Sequence, residues 1–143
     1  METLEKDRVR RNTSEKRNNI IDTKTVEKIR SYAEKSPEEI QQRLKKLDSE
    51  WDIERILELN ASTIILMGVL LSIKDKRWLI LSGLVSAFLL QHAIQGWCPP
   101  LPVLRGIGFR TKAEIDREKY ALKVLNGDIK QSDDANEIWQ MIK

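Results

Sequence analysis

The chain has 143 residues, 33% of them charged and 41% hydrophobic, with a net charge of +3 and one histidine. Its single cysteine excludes an intramolecular disulfide framework and a paired-cysteine metal or redox site, and so mixed a charge balance does not point to nucleic acid as a partner. The averages conceal a partition: between Leu59 and Leu104 the only charged residues are Lys74, Asp75, Lys76 and Arg77. This pattern predicts an all-α fold, a two-helix transmembrane hairpin with flanking amphipathic helices and a disordered N-terminal tail.

Residues 1–22 are rich in charge and lack apolar periodicity, the composition of a disordered tail. Residues 23–53 read as cytoplasmic helices. Thr23 caps a short helix over about 24–35, with Val26, Ile29 and Ala33 at helical spacing. Ser36, Pro37 and Glu39 form a stronger start, a capping box with proline at the first helical position. Ile40, Leu44, Leu47 and Trp51 then make one apolar stripe. Ser49 and Asp52 offer a second cap, so the helix breaks there or runs on. Glu50, Glu54 and Glu58 follow at i, i+4 and read as a solvated acidic face.

Residues 54–110 hold the hairpin. Its charge-free stretches, Leu59–Ile73 and Trp78–Ile94, are short against a hydrocarbon core of roughly 30 Å. Trp51, Trp78 and Trp97 stand where interfacial aromatic anchors belong, and the charged turn can snorkel. Arg43, Lys45, Lys46, Arg55, Arg105, Arg110 and Lys112 flank the hairpin on the terminal side, against Lys74, Lys76 and Arg77 in the turn. The positive-inside rule therefore puts both termini in the cytoplasm. Small residues line each span: Gly68 and Ser72 (with Ala61) on the first, Gly83, Ser86 and Ala87 on the second. Such strips allow close helix approach, either between two copies in a homodimer or within one chain.

Gln91, His92 and Gln95 form a polar intramembrane cluster at the end of the second span, suited to interhelical hydrogen bonds. Cys98 is the candidate thiol. Its place just beyond a helix C-terminus disfavours a thiolate. His92 and Cys98 are far out of phase on one helix, so only a break near Pro99 brings them together. No catalytic residue, metal site or cofactor is expected.

Gly96–Thr111 contains three of the four prolines and should lie in the interface without regular helix. Thr111 and Glu114 form a capping box for a helix of about 112–125, stopped at Asn126-Gly127. A last short helix follows Ser132. Residues 111–143 thus read as C-terminal cytoplasmic helices.

Two short spans joined by a charged turn, then Gly96-Trp97-Cys98-Pro99 and Leu104-Arg105-Gly106-Ile107-Gly108, resemble the YgaP-like inner-membrane family. The resemblance covers about residues 54–110. It implies a two-helix transmembrane domain of unknown function ending in a Gly-x-Cys-Pro signature, in a bacterial inner-membrane, dimeric module. Some members carry a fused rhodanese domain, for which this chain has no counterpart; its Pro99-Pro100 pair and charged flanks also depart from the pattern. The expected function is a non-enzymatic, dimerising, multi-pass inner-membrane module, with the bilayer, a second copy and a cytoplasmic protein as partners. The alternatives are a thiol-dependent sulfur-handling or transport component built on Cys98, and a soluble helical adaptor.

Overall fold

A computed structural model describes residues 7–129, which form seven helices and no strand. These are α1 (Arg8–Arg11), α2 (Glu15–Tyr32), α3 (Pro37–Asp48), α4 (Ile53–Leu71), α5 (Trp78–Gln95), α6 (Leu101–Ile107) and α7 (Lys112–Leu125). The capping chemistry sets several of the starts. Ser36 and Thr111 each close a full capping box, with Glu39 and Glu114 respectively. Asp52 accepts from the Arg55 amide, and this cap separates α3 from α4. Glu50 therefore lies in the connection and not on the helix that carries Glu54 and Glu58.

The short turn Ser72–Arg77 sends α5 back antiparallel along α4, and the two helices pack closely. Ser82 donates its hydroxyl to the Ile65 carbonyl at 3.1 Å, and Gly68 sits opposite, where a Cβ would strike the Ser82 hydroxyl. Among the described residues only α5 is long and apolar enough, by length and composition, to cross a membrane. In α4, Glu54, Arg55 and Glu58 occupy the first turns and shorten the apolar part.

The remaining helices gather at one end of this pair. One apolar cluster joins Val9, Ile53, Leu57, Cys98 and Leu101; a second joins Ile40, Leu44 and Leu47 of α3 to Ile115 and Leu122 of α7. These two clusters hold most of the fully buried apolar side chains, while α5 leaves most of its surface uncovered.

Three expectations are corrected. The tail expected to be disordered over 1–22 is helical from Arg8 to Arg11 and from Glu15 onward, with a turn at residues 12–14 between them; residues 1–6 lie outside the described residues. Its order comes from tertiary contacts: Val9 is buried in the first cluster, and Arg10 pairs with Glu114. The helix placed at 24–35 begins at Glu15 instead, so Thr23 lies mid-helix. The segment denied regular helix contains α6, because Pro100 and Pro102 fall at the cap and in the first turn, where a missing amide costs no intrahelical bond. The short helix expected after Ser132 lies outside the described residues.

Candidate functional site

Gly96 adopts φ 76° at the end of α5 and turns the chain back. That reversal brings Cys98 and His92 to the same cavity, of about 360 Å³, between α4, α5 and the Pro99-Pro100 step. Leu57, Ile64, Phe88 and Leu89 make its apolar wall, and Asn60 is its other polar neighbour. His92 is 8% exposed, and its Nδ1 has no hydrogen-bond partner among the described residues. Cys98 is buried, and burial pushes its thiol up, away from the thiolate a nucleophile needs.

The polar trio at the end of α5 divides between two surroundings. Gln91 reaches Gln95 at 3.5 Å, whereas His92 faces the cavity. The Gln95 carbonyl accepts from Asn12 at 2.8 Å, and the Ala93 carbonyl accepts from the Arg8 guanidinium. α1 thus supplies donors and a cation to the carbonyl end of α5, where the helix dipole favours both. A side chain at Gly96 would collide with the backbone and Cβ of Arg8, so this contact needs glycine for space as well as for its φ.

Below α1 the structure contains a feature absent from the sequence reading, two linked arginine–carboxylate clusters. Arg105 pairs with Glu114 through two bonds, at 2.7 and 2.8 Å, and also donates to the Phe109 carbonyl and Asn18. Arg10 adds a third cationic contact to Glu114 at 2.6 Å and binds Asp22. In the second cluster, Arg110 donates to Glu118 and to both carboxylate oxygens of Glu50, while Arg43 donates to Glu118 at 2.8 Å. Burial alone would raise the Glu114 pKa. The bonds from Arg105, the Thr111 amide and Arg10 outweigh it and hold the carboxyl below its ordinary value. The clusters fasten α1, α3 and α7 to the segment that follows α5. One signal for them was present in the sequence: Glu118 stands between Ile115 and Leu122 on the buried stripe of α7, and a carboxylate on such a stripe requires a partner.

The small residues also separate. Gly68 packs within the chain against Ser82, and Ser72 caps α4 by bonding to the Val69 carbonyl. Gly83 meets nothing within 4 Å, and Ser86 and Ala87 beside it are exposed. Of the aromatic anchors, Trp51 is stacked by the Arg55 guanidinium at 4.5 Å, Trp78 opens α5, and Trp97 follows its end; all three remain exposed. Among the described residues no three His, Cys, Asp or Glu side chains converge as metal ligands.

Neither the curated proteins nor the solved structures contain a match to this chain. A family model described as "Inner membrane protein YgaP-like, transmembrane domain" matches residues 52–114. The match begins at the Asp52 cap of α4, takes in α5, Cys98 and α6, and ends at Glu114, the carboxylate that receives Arg105. From α4 to the first turn of α7, then, this chain is similar to the YgaP-like transmembrane domain of inner-membrane proteins.

Proposed function

We propose that the chain is a non-enzymatic, multi-pass inner-membrane module in which α4 and α5 form a spanning hairpin and both termini lie in the cytoplasm. The observation that carries this reading is the surface of the helical pair. Leu66, Met67 and Leu70 on α4, with Leu79, Ile80, Leu84, Leu90 and Ile94 on α5, are all exposed. An apolar surface of this extent on a helix pair is suited to lipid. The charged helices at the terminal end offer the surface for a cytoplasmic protein partner.

A homodimer is part of the proposal. Ile80, Gly83, Ala87, Leu90 and Ile94 share one exposed face of α5, with open space over Gly83. A second copy would bury this face and use the small residues for close approach. The reading of Cys98 as a sulfur-handling thiol draws on its shared cavity with His92, but its raised pKa weighs against it.

Cysteine labelling tests the topology. In a Cys98→Ser background, an impermeant reagent added to intact cells should modify a cysteine at Asp75 and spare one at Ser36. The opposite pattern, or recovery of the protein in the soluble fraction after carbonate washing, would overturn the proposal.

A further inference from the structure

On the outer side of the arginine clamp lies a second cavity, of about 250 Å³, formed where α2 passes the end of α6. Arg17, Lys24 and Lys28 stand along one face of α2, at i, i+7 and i+11, and all three line it. Among the described residues the two lysines make no ion pair, and Arg17 contacts only the Gly106 carbonyl, at 3.2 Å. The Thr25 side chain also lines the cavity, but its hydroxyl donates to the Ile21 carbonyl at 2.9 Å. The inner wall is formed by Arg105 and Arg110, whose charges are already met by Glu114, Glu118 and Glu50. The unmatched charge of the cavity is therefore positive and concentrated on α2.

The rim has a different character. Ile20 and Ile107 border the cavity, and Ile107 is 70% exposed. Val103, one turn before Ile107 on α6, is also exposed. In the topology proposed above, on which this step rests, α6 directly follows the spanning helix α5, which puts its exposed apolar edge at the level of the bilayer surface. The cavity is open, with Arg17, Lys24 and Lys28 themselves exposed; a cationic floor beside an apolar rim is complementary to an amphiphile with an anionic head.

We propose that this cavity binds the phosphate group of an anionic phospholipid. Lys24 and Lys28 supply the charge, Arg17 supplies donors, and the acyl chains leave across Ile107 and Ile20. A free inorganic phosphate offers the same chemistry to the floor but gains nothing from the rim.

The test uses the full chain in an uncharged detergent, titrated with phosphatidylglycerol or phosphatidylcholine, with bound lipids counted by native mass spectrometry. It does not depend on whether α4 spans a bilayer or the chain dimerises. Phosphatidylglycerol should bind in preference to phosphatidylcholine. Near an anionic lipid surface each lysine contributes roughly fivefold, so Lys24→Gln/Lys28→Gln should weaken phosphatidylglycerol roughly 25-fold. Lys24→Arg/Lys28→Arg should retain binding, and Lys45→Gln/Lys46→Gln, on the exposed side of α3, should leave it unchanged. Unchanged affinity in the Lys24/Lys28 glutamine variant would overturn the site. Displacement of the lipid by equimolar inorganic phosphate would overturn the lipid as its source.

Discussion

Arg105 and Glu114 meet through two side-by-side hydrogen bonds, Nη1 to Oε2 at 2.7 Å and Nη2 to Oε1 at 2.8 Å, with both side chains almost fully buried. Nine residues apart in sequence, they tie the end of α6 to the first turn of α7. Because Glu114 also receives Arg10, the same pair holds the N-terminal helices against the membrane domain.

Breaking this pair from one side strands a buried guanidinium. Glu114→Gln keeps the shape and the capping role but removes the charge. It should cost about 3–5 kcal/mol of unfolding free energy. Arg105→Met/Glu114→Leu removes both charges and should recover part of that loss. Denaturant unfolding in detergent measures both; a cost for Glu114→Gln below about 1 kcal/mol would show that the pair contributes little.

The depressed pKa of Glu114 fixes the sign of a pH effect. Its stabilising contribution is fully present above the unfolded carboxyl value, about 4.3, and is lost as pH falls through the lower folded value. The Tm should therefore fall on acidification below that range, and Glu114→Gln should flatten the dependence. Equal slopes in the two proteins would assign the acid sensitivity to other groups.

Two glycines in and beside α5 should respond in opposite ways to alanine. Gly96→Ala meets a positive φ, costing about 1–2 kcal/mol, and collides with Arg8. Gly83→Ala enters open space within the helix and should gain up to about 1 kcal/mol of helix propensity. Hydrogen exchange should show α1 released in the first variant only. Protection of α1 in Gly96→Ala would mean that the close approach is not needed.

The dimer makes a sharper demand on Gly83. Gly83→Leu places a bulky side chain on the proposed contact, where overpacking costs roughly 1–3 kcal/mol, in both copies of a two-fold interface. Crosslinking in detergent should find this variant largely monomeric and Leu84→Ile dimeric. Dimers in both would move the interface away from Gly83.

Cys98 should label slowly with a maleimide at neutral pH, since it is buried and its thiol is pushed up. Gly96→Ala, by freeing α1, whose Val9 packs in the same cluster as Cys98, should accelerate labelling. Rapid labelling of the wild type would reopen the nucleophilic reading.

The parts legible in the sequence are those governed by near neighbours. The Ser36 and Thr111 capping boxes, Ile40, Leu44 and Leu47 of the α3 stripe and the range of α7 depend on residues a few positions apart, and each is found where its spacing puts it, whereas Trp51, expected on the same stripe, lies beyond α3 and is exposed. The apolar composition of α5 likewise needs no tertiary information, because a helix of that character is apolar whatever it packs against. The charged N-terminal segment was misread for the complementary reason. Its order depends on Val9, Arg8 and Arg10 reaching residues some 40 to 100 positions away, and local composition contains no trace of those contacts.

By itself, then, the sequence determined the helical class, the capping boxes at Ser36 and Thr111, the apolar helix α5 and the likeness carried by Gly96-Trp97-Cys98-Pro99. Only the tertiary structure decided that Arg105 with Glu114 and Arg110 with Glu118 form two buried electrostatic clusters, that His92 and Cys98 share a cavity, and that Gly68 packs inward while Gly83 stays open. The reason is physical. Caps and periodicity are interactions within one or two turns, whereas ion pairing and cavity formation depend on which surfaces meet after the chain reverses at Gly96 and Gly108.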